Sequence, residues 1–271
     1  MDRTGAAIER ARATFHMMHI DLNCDMGEIP EKLADGSQEA LLRFVSSANI
    51  ACGGHAGDAQ TMRRTIEQAV HWKVAVGAHP GYEDRANFGR VALQWSREEI
   101  ATSVHRQVAA LDGFAHECGA TVVHVKAHGA LYNQAARDAG VARAIAQGVG
   151  RWSRDVVLMG LAGSLMLDEF RKAGFAVAAE AFADRRYEAD GSLRSRKLKD
   201  ALVSDPELAA TQALRIVEQE NVIATNGGVV RLQAETICVH GDTPGAVEIV
   251  SAVYRRLVGA GISVRSLRGG K

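Results

Sequence analysis

The sequence predicts an α/β fold: a barrel of about seven parallel β-strands with helices between them. Three observations carry that expectation. From His19 onward a short apolar run ending in a polar or Gly-rich knot recurs, each followed by a helical stretch. The runs are nearly continuous in small and β-branched residues, the pattern of strands buried on both faces. Polar side chains follow almost every run, whereas an open doubly wound sheet gathers its site at one switch point. The first run leads into DMGEIPE instead of GxGxxG, and GxxxxGK[ST] occurs nowhere.

The candidate strands are 19–25 (HIDLNCD), 47–53 (SANIACG), 74–80 (VAVGAHP), 121–129 (TVVHVKAHG), 156–163 (VVLMGLAG), 176–184 (AVAAEAFAD) and 236–242 (TICVHGD). Helix starts lie between them. Asp58 is placed to cap a helix carrying Met62 to Val70. Ser96 and Glu99 form a capping box ahead of Ile100 to Ala115. Asp205-Pro206 and Thr243-Pro244 each set a cap residue before Pro at a first helical position. Asn226-Gly227 marks a hairpin turn before the last strand. No Pro-, Gly- or Ser-rich linker divides the chain, so 18–271 reads as a single β/α-barrel catalytic domain. Residues 1–17 lack the apolar core of a secretory signal and read as a poorly ordered extension.

Composition narrows the class. The 271 residues carry 32 Lys+Arg against 32 Asp+Glu, and 47% are hydrophobic, which excludes composition-driven disorder. Neutrality gives no reason to expect nucleic acid or an anionic membrane as partner. No apolar run approaches the roughly 20 residues that span a bilayer. Cys24, Cys52, Cys118 and Cys238 lie far apart with no CxxC, which argues against a disulfide framework or a cysteine zinc site. A reducing, cytoplasmic location is expected.

The strand ends carry the chemistry. Asp21, Asn23 and Asp25 alternate and so share one strand face, with Glu28 just beyond. Unpaired buried carboxylates cost several kcal/mol, so these form either a hydrogen-bonded network or a site. Asn49 precedes CGGHAGD, which offers His55, and the third strand ends at His79. His124, Lys126 and His128 share a face, and a Lys inside a barrel must pair with a carboxylate or line a polar pocket. Tyr132 and Asn133 follow about one helical turn later. The sixth run supplies Glu180, Asp184, Arg185 and Tyr187; the last supplies His240 and Asp242. His16, His19, His71, His105 and His116 lack such company and read as surface or packing residues. Two chemistries fit: a divalent metal held by His and Asp, or acid–base work beside a cation that neutralises developing negative charge.

Six segments in order, DLNCDMGE, SANIACGGHAGD, VAVGAHPGY, HVKAHGALYN, FADRRYEADG and CVHGDTPGA, resemble the LamB/YcsF family over about residues 18 to 262. The resemblance implies a seven-stranded barrel related to glycoside hydrolases and polysaccharide deacetylases. It also implies the A subunit of the prokaryotic ATP-dependent 5-oxoprolinase, which works with subunits B and C. The implied reaction takes 5-oxo-L-proline, ATP and two waters to L-glutamate, ADP and phosphate.

On this footing His55, Lys126, His128, His240 and Asp25 are the expected catalytic residues. Asn23, Asn49, His79, Tyr132, Asn133, Glu180, Arg185 and Asp242 are expected to bind substrate or ATP. Asp21, Asp25 and His55 are expected to hold Mg²⁺ or another divalent cation. The chain departs from the family at Gly54, where an aromatic is usual, at Ala127, where Pro is usual, and over 195–205, a stretch that puts a substrate-covering loop in question. The competing readings are a stand-alone metal-dependent amidohydrolase or deacetylase, and a non-catalytic lactam-binding subunit.

Overall fold

The computed structural model describes residues 18–268, so the expected 1–17 extension lies outside the described residues. All seven candidate strands form. They are β1 (His19–Met26), β2 (Ser47–Ala51), β3 (Ala75–His79), β4 (Val122–Lys126), β5 (Val157–Leu161), β6 (Ala176–Phe182) and β9 (Thr236–Val239). Each pairs in parallel with the next, and β1 pairs with both β2 and β9, which closes the barrel. Two short strands, β7 (Asn221–Ile223) and β8 (Val229–Arg231), form the antiparallel hairpin expected around Asn226-Gly227. A last short strand, β10 (Ser263–Val264), extends the sheet beside the start of β1.

Side-chain caps satisfy free N–H groups at the start of four of the nine helices found among the described residues. The nine are α1 (Pro30–Ala34), α2 (Ser37–Leu42), α3 (Ala59–His71), α4 (Arg97–Glu117), α5 (Gly129–Ala135), α6 (Ala139–Trp152), α7 (Leu165–Lys172), α8 (Pro206–Gln219) and α9 (Ala246–Gly259). Asp58 and Thr61 cap α3 reciprocally, Ser96 and Glu99 do the same for α4, and Asp205 caps α8 ahead of Pro206. The Thr243-Pro244 expectation is corrected. Gly245 is the residue before α9, and the Thr243 hydroxyl is committed elsewhere, donating to Asp184 Oδ2 at 3.1 Å.

The alternation of β1 splits the core into two compartments. Leu22 and Cys24 point outward with Ile50, Val125, Leu158 and Ile237, against helix residues such as Ile66, Val108, Val149, Phe170, Ile216 and Val253. Asp21, Asn23 and Asp25 point inward. Inside, Val157, Met159 and Ala178 make one apolar cluster and Phe182 stacks on His240, while Asp21, Asn23, Asp25, Asn49, His124, Lys126, Glu180 and Thr236 are buried polar groups. Gly77 makes that interior possible: a Cβ there would overlap the His124 ring. A barrel interior normally filled by branched apolar side chains is here given over to hydrogen bonds.

Candidate active site

The lowest layer of the interior is structural. The Asp21 carboxylate accepts from Ser46 Oγ (2.7 Å), Ser47 Oγ (2.6 Å) and Thr236 Oγ1, and burial raises its pKa. Four residues before Asp25 on an extended strand, it stands about 13 Å below it. This corrects the expectation that Asp21 and Asp25 share a metal, since three hydroxyls already fill Asp21.

Above it lies an amide layer. Asn23 Nδ2 donates to Thr236 Oγ1 (2.7 Å) and Glu180 Oε1 (3.1 Å). Asn49 Nδ2 donates to Asn23 Oδ1 (2.7 Å) and Asp25 Oδ1 (2.8 Å), and Asn49 Oδ1 sits 2.9 Å from His124 Nε2. Burial pushes the His124 pKa down to about 3, so the ring is neutral and donates from Nε2. Asn23, Asn49 and Glu180 are fully buried and do not reach the cavity, which corrects their expected contact with substrate. They orient the groups that do.

Lys126 stands on this floor. Its ammonium donates to Glu180 Oε1 (2.8 Å), Asp25 Oδ1 (3.0 Å) and Asn23 Oδ1 (3.3 Å), with Cys238 Sγ at 3.1 Å. Burial alone would lower its pKa, but the carboxylates of Asp25 and Glu180 raise it well above the ordinary lysine value. Asp25 is the mirror case: burial would raise it, yet His79 and Lys126 hold it well below the usual carboxylate range. The thiol of Cys238 is pushed well up by burial and stays protonated. A permanent cation therefore sits at the floor, held by two carboxylates.

Beside it three imidazoles and Glu28 converge. His79 Nδ1 faces the Lys126 carbonyl at 2.8 Å, and His128 Nε2 faces the Phe88 carbonyl at 2.9 Å. Both nitrogens must donate, because a carbonyl only accepts. The opposite nitrogens, His79 Nε2 and His128 Nδ1, meet at 3.0 Å, with Glu28 Oε1 at 3.8 and 3.2 Å respectively. His55 stacks on His128 with ring centroids 3.6 Å apart, and its Nε2 lies 2.9 Å from Glu28 Oε1. Burial lowers the His55 pKa to about 3, so it donates as a neutral ring. His55 does not line the cavity, which corrects its expected role at the reacting atoms.

Across the cavity, His240 Nδ1 lies 2.9 and 3.1 Å from the two oxygens of Asp184. Asp184 also accepts from the His240 backbone N–H at 2.9 Å and from Thr243. Burial would raise the Asp184 pKa, but His240 outweighs it and holds the carboxyl at about 2. The carboxylate accepts from Nδ1–H, so the neutral tautomer it favours carries its lone pair on Nε2. This is the geometry of an oriented general base. The ring stacks on Phe182, with centroids 5.4 Å apart.

The cavity these groups enclose has a volume of about 650 Å³. Of the expected site residues, it is lined by Asp25, His79, Lys126, His128, Tyr132, Asn133, Arg185, His240 and Asp242. Burial and the nearby Glu180 hold the Tyr132 phenol well above its ordinary pKa. Arg90, Arg137, Arg194, Arg196 and Lys197 join Arg185 at the mouth, with Asp242 paired to Arg90 and Arg196 and Glu188 to Arg194. The 194–197 stretch therefore does cover the site, and it brings positive charge. A groove of about 880 Å³ along α2 and α9 gathers no strand-end residue.

The sequence profile of the LamB/YcsF family matches residues 20–271. The chain belongs to the LamB/YcsF family. Within the family it is 52% identical over 252 residues to the 5-oxoprolinase A subunit of Chloroflexus aggregans, covering 93% of this chain and 100% of that one. It is 48% identical to the 5-oxoprolinase A subunit of Bordetella pertussis over 247 residues, 91% of this chain and 98% of the other. Among solved structures, the lactam utilization protein of Thermus thermophilus superposes with a TM-score of 0.84 at 40% identity, covering 92% of this chain and 100% of that one. A family 4 carbohydrate esterase from Streptomyces lividans matches at TM-score 0.50 and 12% identity over 93% of each chain, a likeness of fold alone.

For this LamB/YcsF member, reading by residue type missed several contributors. Cys238 is two residues before His240, so the same alternation puts it on the inner face, but a Cys reads as apolar. Gln107 sits mid-helix on α4 and grips Gly81, accepting from its N–H (3.0 Å) and donating to its carbonyl (2.8 Å). It also fills the space an aromatic at position 54 would need. Phe88 takes part through its carbonyl, in a left-handed turn with φ 54° that no local motif announces.

Proposed function

We propose that this chain is the A subunit of an ATP-dependent 5-oxoprolinase. It binds 5-oxo-L-proline and takes part in opening the lactam to L-glutamate, coupled to hydrolysis of ATP to ADP and phosphate, together with subunits B and C. The observation that carries the reading is the Lys126 ammonium, fixed by Asp25 and Glu180 on the floor of a cavity that also holds the Asp184–His240 pair.

The chemistry explains why these groups are needed. An unstrained lactam amide is a poor electrophile. Transfer of the γ-phosphoryl group to the carbonyl oxygen forms a new P–O bond, releases ADP and draws the N–H proton to a base. Water then adds at the activated carbon and the C–N bond breaks, the nitrogen taking a proton. A second water hydrolyses the resulting acyl phosphate to glutamate and phosphate. Negative charge gathers at the carbonyl oxygen and the phosphoryl group, where a preorganised cation is worth most. Lys126 supplies it from below and Arg185 from the wall. The Nε2 lone pair of neutral His240 supplies the base. Arg137 and Lys197 along the cavity suit the lactam carboxylate and the phosphates.

Calorimetric titration of the isolated chain tests this reading. 5-Oxo-L-proline is expected to bind, with affinity that falls as salt rises, because the mouth charges are solvent-facing. 2-Pyrrolidinone, the same ring without the carboxylate, is expected to bind at least tenfold more weakly. Equal affinity for the two, or no heat from either, would contradict the proposed recognition.

A further inference from the structure

We propose that Glu28, His79 and His128 bind one divalent transition-metal ion at the edge of the cavity. The claim goes beyond the reaction proposed above and does not depend on it.

The case begins with hydrogen-bond accounting. The carbonyls of Lys126 and Phe88 fix the protons of His79 and His128 on the outward nitrogens. With both rings neutral, that directs two imidazole lone pairs at each other at 3.0 Å, with Glu28 Oε1 at 3.2 Å from one and Asp25 Oδ2 at 3.4 Å from the other. Four groups able to accept converge, and the contact between the two rings has room for one shared proton. A single shared proton bridges only two of the four. The ligand atoms of Glu28, His79 and His128, with His55 behind them, all lie within 4.8 Å of one another, close enough to meet at one cation.

The surroundings are those of a prepared site. Ligating histidines characteristically give their second N–H to a carbonyl, which fixes tautomer and ring plane, and both rings do so here. Glu28 Oε1 is itself held 2.9 Å from His55 Nε2. Two glycines clamp the stacked His55–His128 pair. A Cβ on Gly81 would come within 2.8 Å of His55 Nδ1, and one on Gly89 within 2.7 Å of His55 Cβ. Phe88 holds its carbonyl on His128 from a left-handed turn, the kind of backbone strain that collects at functional sites.

The donor set also selects the ion. Two imidazoles and one carboxylate suit zinc, cobalt and their neighbours, whereas Mg²⁺ prefers an all-oxygen octahedron. Glu28, His79 and His128 all line the cavity, so the ion would keep an open coordination position toward it.

The test needs no enzymatic assay. The full chain is stripped with a chelator and equilibrated in separate arms with Zn²⁺, Co²⁺ or Mg²⁺. Free metal is removed and bound metal is counted by elemental analysis. One equivalent of Zn²⁺ or Co²⁺ per chain is expected, with none of Mg²⁺. The thermal midpoint should rise by several degrees, and bound Co²⁺ should show visible absorption of nitrogen ligation. Glu28→Gln, which keeps the shape of the site, and His79→Ala should each weaken binding more than tenfold. Absence of retained Zn²⁺ and Co²⁺ in the wild type would overturn the proposal. So would undiminished binding by the His79→Ala/His128→Ala double variant, or retention of Mg²⁺ on equal terms with Zn²⁺.

Discussion

Replacing Lys126 with Met is expected to lower glutamate release by at least a thousandfold in the reconstituted system and to destabilise the chain by about 3–5 kcal/mol. The second figure follows from what Met leaves behind. Asp25 and Glu180 lie at 3.0 and 2.8 Å from the ammonium and are buried with it. Removing one partner of a buried ion pair leaves an uncompensated charge, and that penalty is typically about 3–5 kcal/mol. The first figure follows from the loss of a preorganised charge at the carbonyl and phosphoryl oxygens, about 10²–10³ for one such donor, together with loosening of Asp25. The two effects separate in a second variant. Lys126→Met with Glu180→Gln removes one of the stranded carboxylates. It should recover much of the thermal stability while glutamate release stays at background. Recovery of activity along with stability would mean that Lys126 is only structural. Thermal unfolding and glutamate assays on the same preparations decide between these.

Asp184→Asn is the second large effect. An amide in place of the carboxylate can present its N–H₂ to His240 Nδ1. That moves the ring proton to Nε2 and removes the base. The loss in turnover should be about 10³–10⁴-fold, as for an orienting carboxylate in other His-dependent sites, with substrate affinity changed far less. The same carboxyl makes a pH prediction. Its folded pKa is held at about 2 against an ordinary 3.8. A lowered carboxylate pKa contributes stability that is fully present above the unfolded value and is lost as pH falls through the folded one. The wild type should therefore lose about 2 kcal/mol between roughly pH 4 and pH 2 on account of this group. Asp184→Asn should lose none of that share. Unfolding curves at a series of pH values, compared between the two proteins, measure the difference directly.

Much of this was legible in the residues. The seven apolar runs became the seven barrel strands because continuous small and branched residues can be buried on both faces. The strand-end rule placed Lys126, His128, His240 and Asp242 around one cavity before any geometry was known. What sequence could not supply was depth. Asp21, Asn23 and Asp25 are equivalent in a period of two, yet they stand in successive layers, and only Asp25 faces the cavity. Layering depends on the stagger between neighbouring strands, for instance Asp25 opposite Asn49 and Lys126 opposite Met159. That register is a property of the closed sheet and not of any one strand. The same applies to His55, whose loop position suggested direct contact with substrate. Stacking behind His128 turns it into a support for Glu28. Gln107 and the Phe88 carbonyl act across long sequence separations and through backbone atoms, which residue type does not encode. The stretch 195–205 departs from the family pattern, yet Ser195, Arg196, Lys197 and Leu198 line the cavity all the same. There Arg196 and Lys197 put positive charge beside the cavity.

The central claim is that this chain takes part in opening a lactam at the expense of ATP in company with partner subunits. The direct measurement is glutamate released from 5-oxo-L-proline, with and without ATP, by the chain alone and mixed with candidate B and C subunits. The account predicts glutamate only in the complete, ATP-containing mixture, with one phosphate formed per glutamate. Glutamate from the chain alone without ATP, or none from a mixture in which a related family member is active, would contradict it.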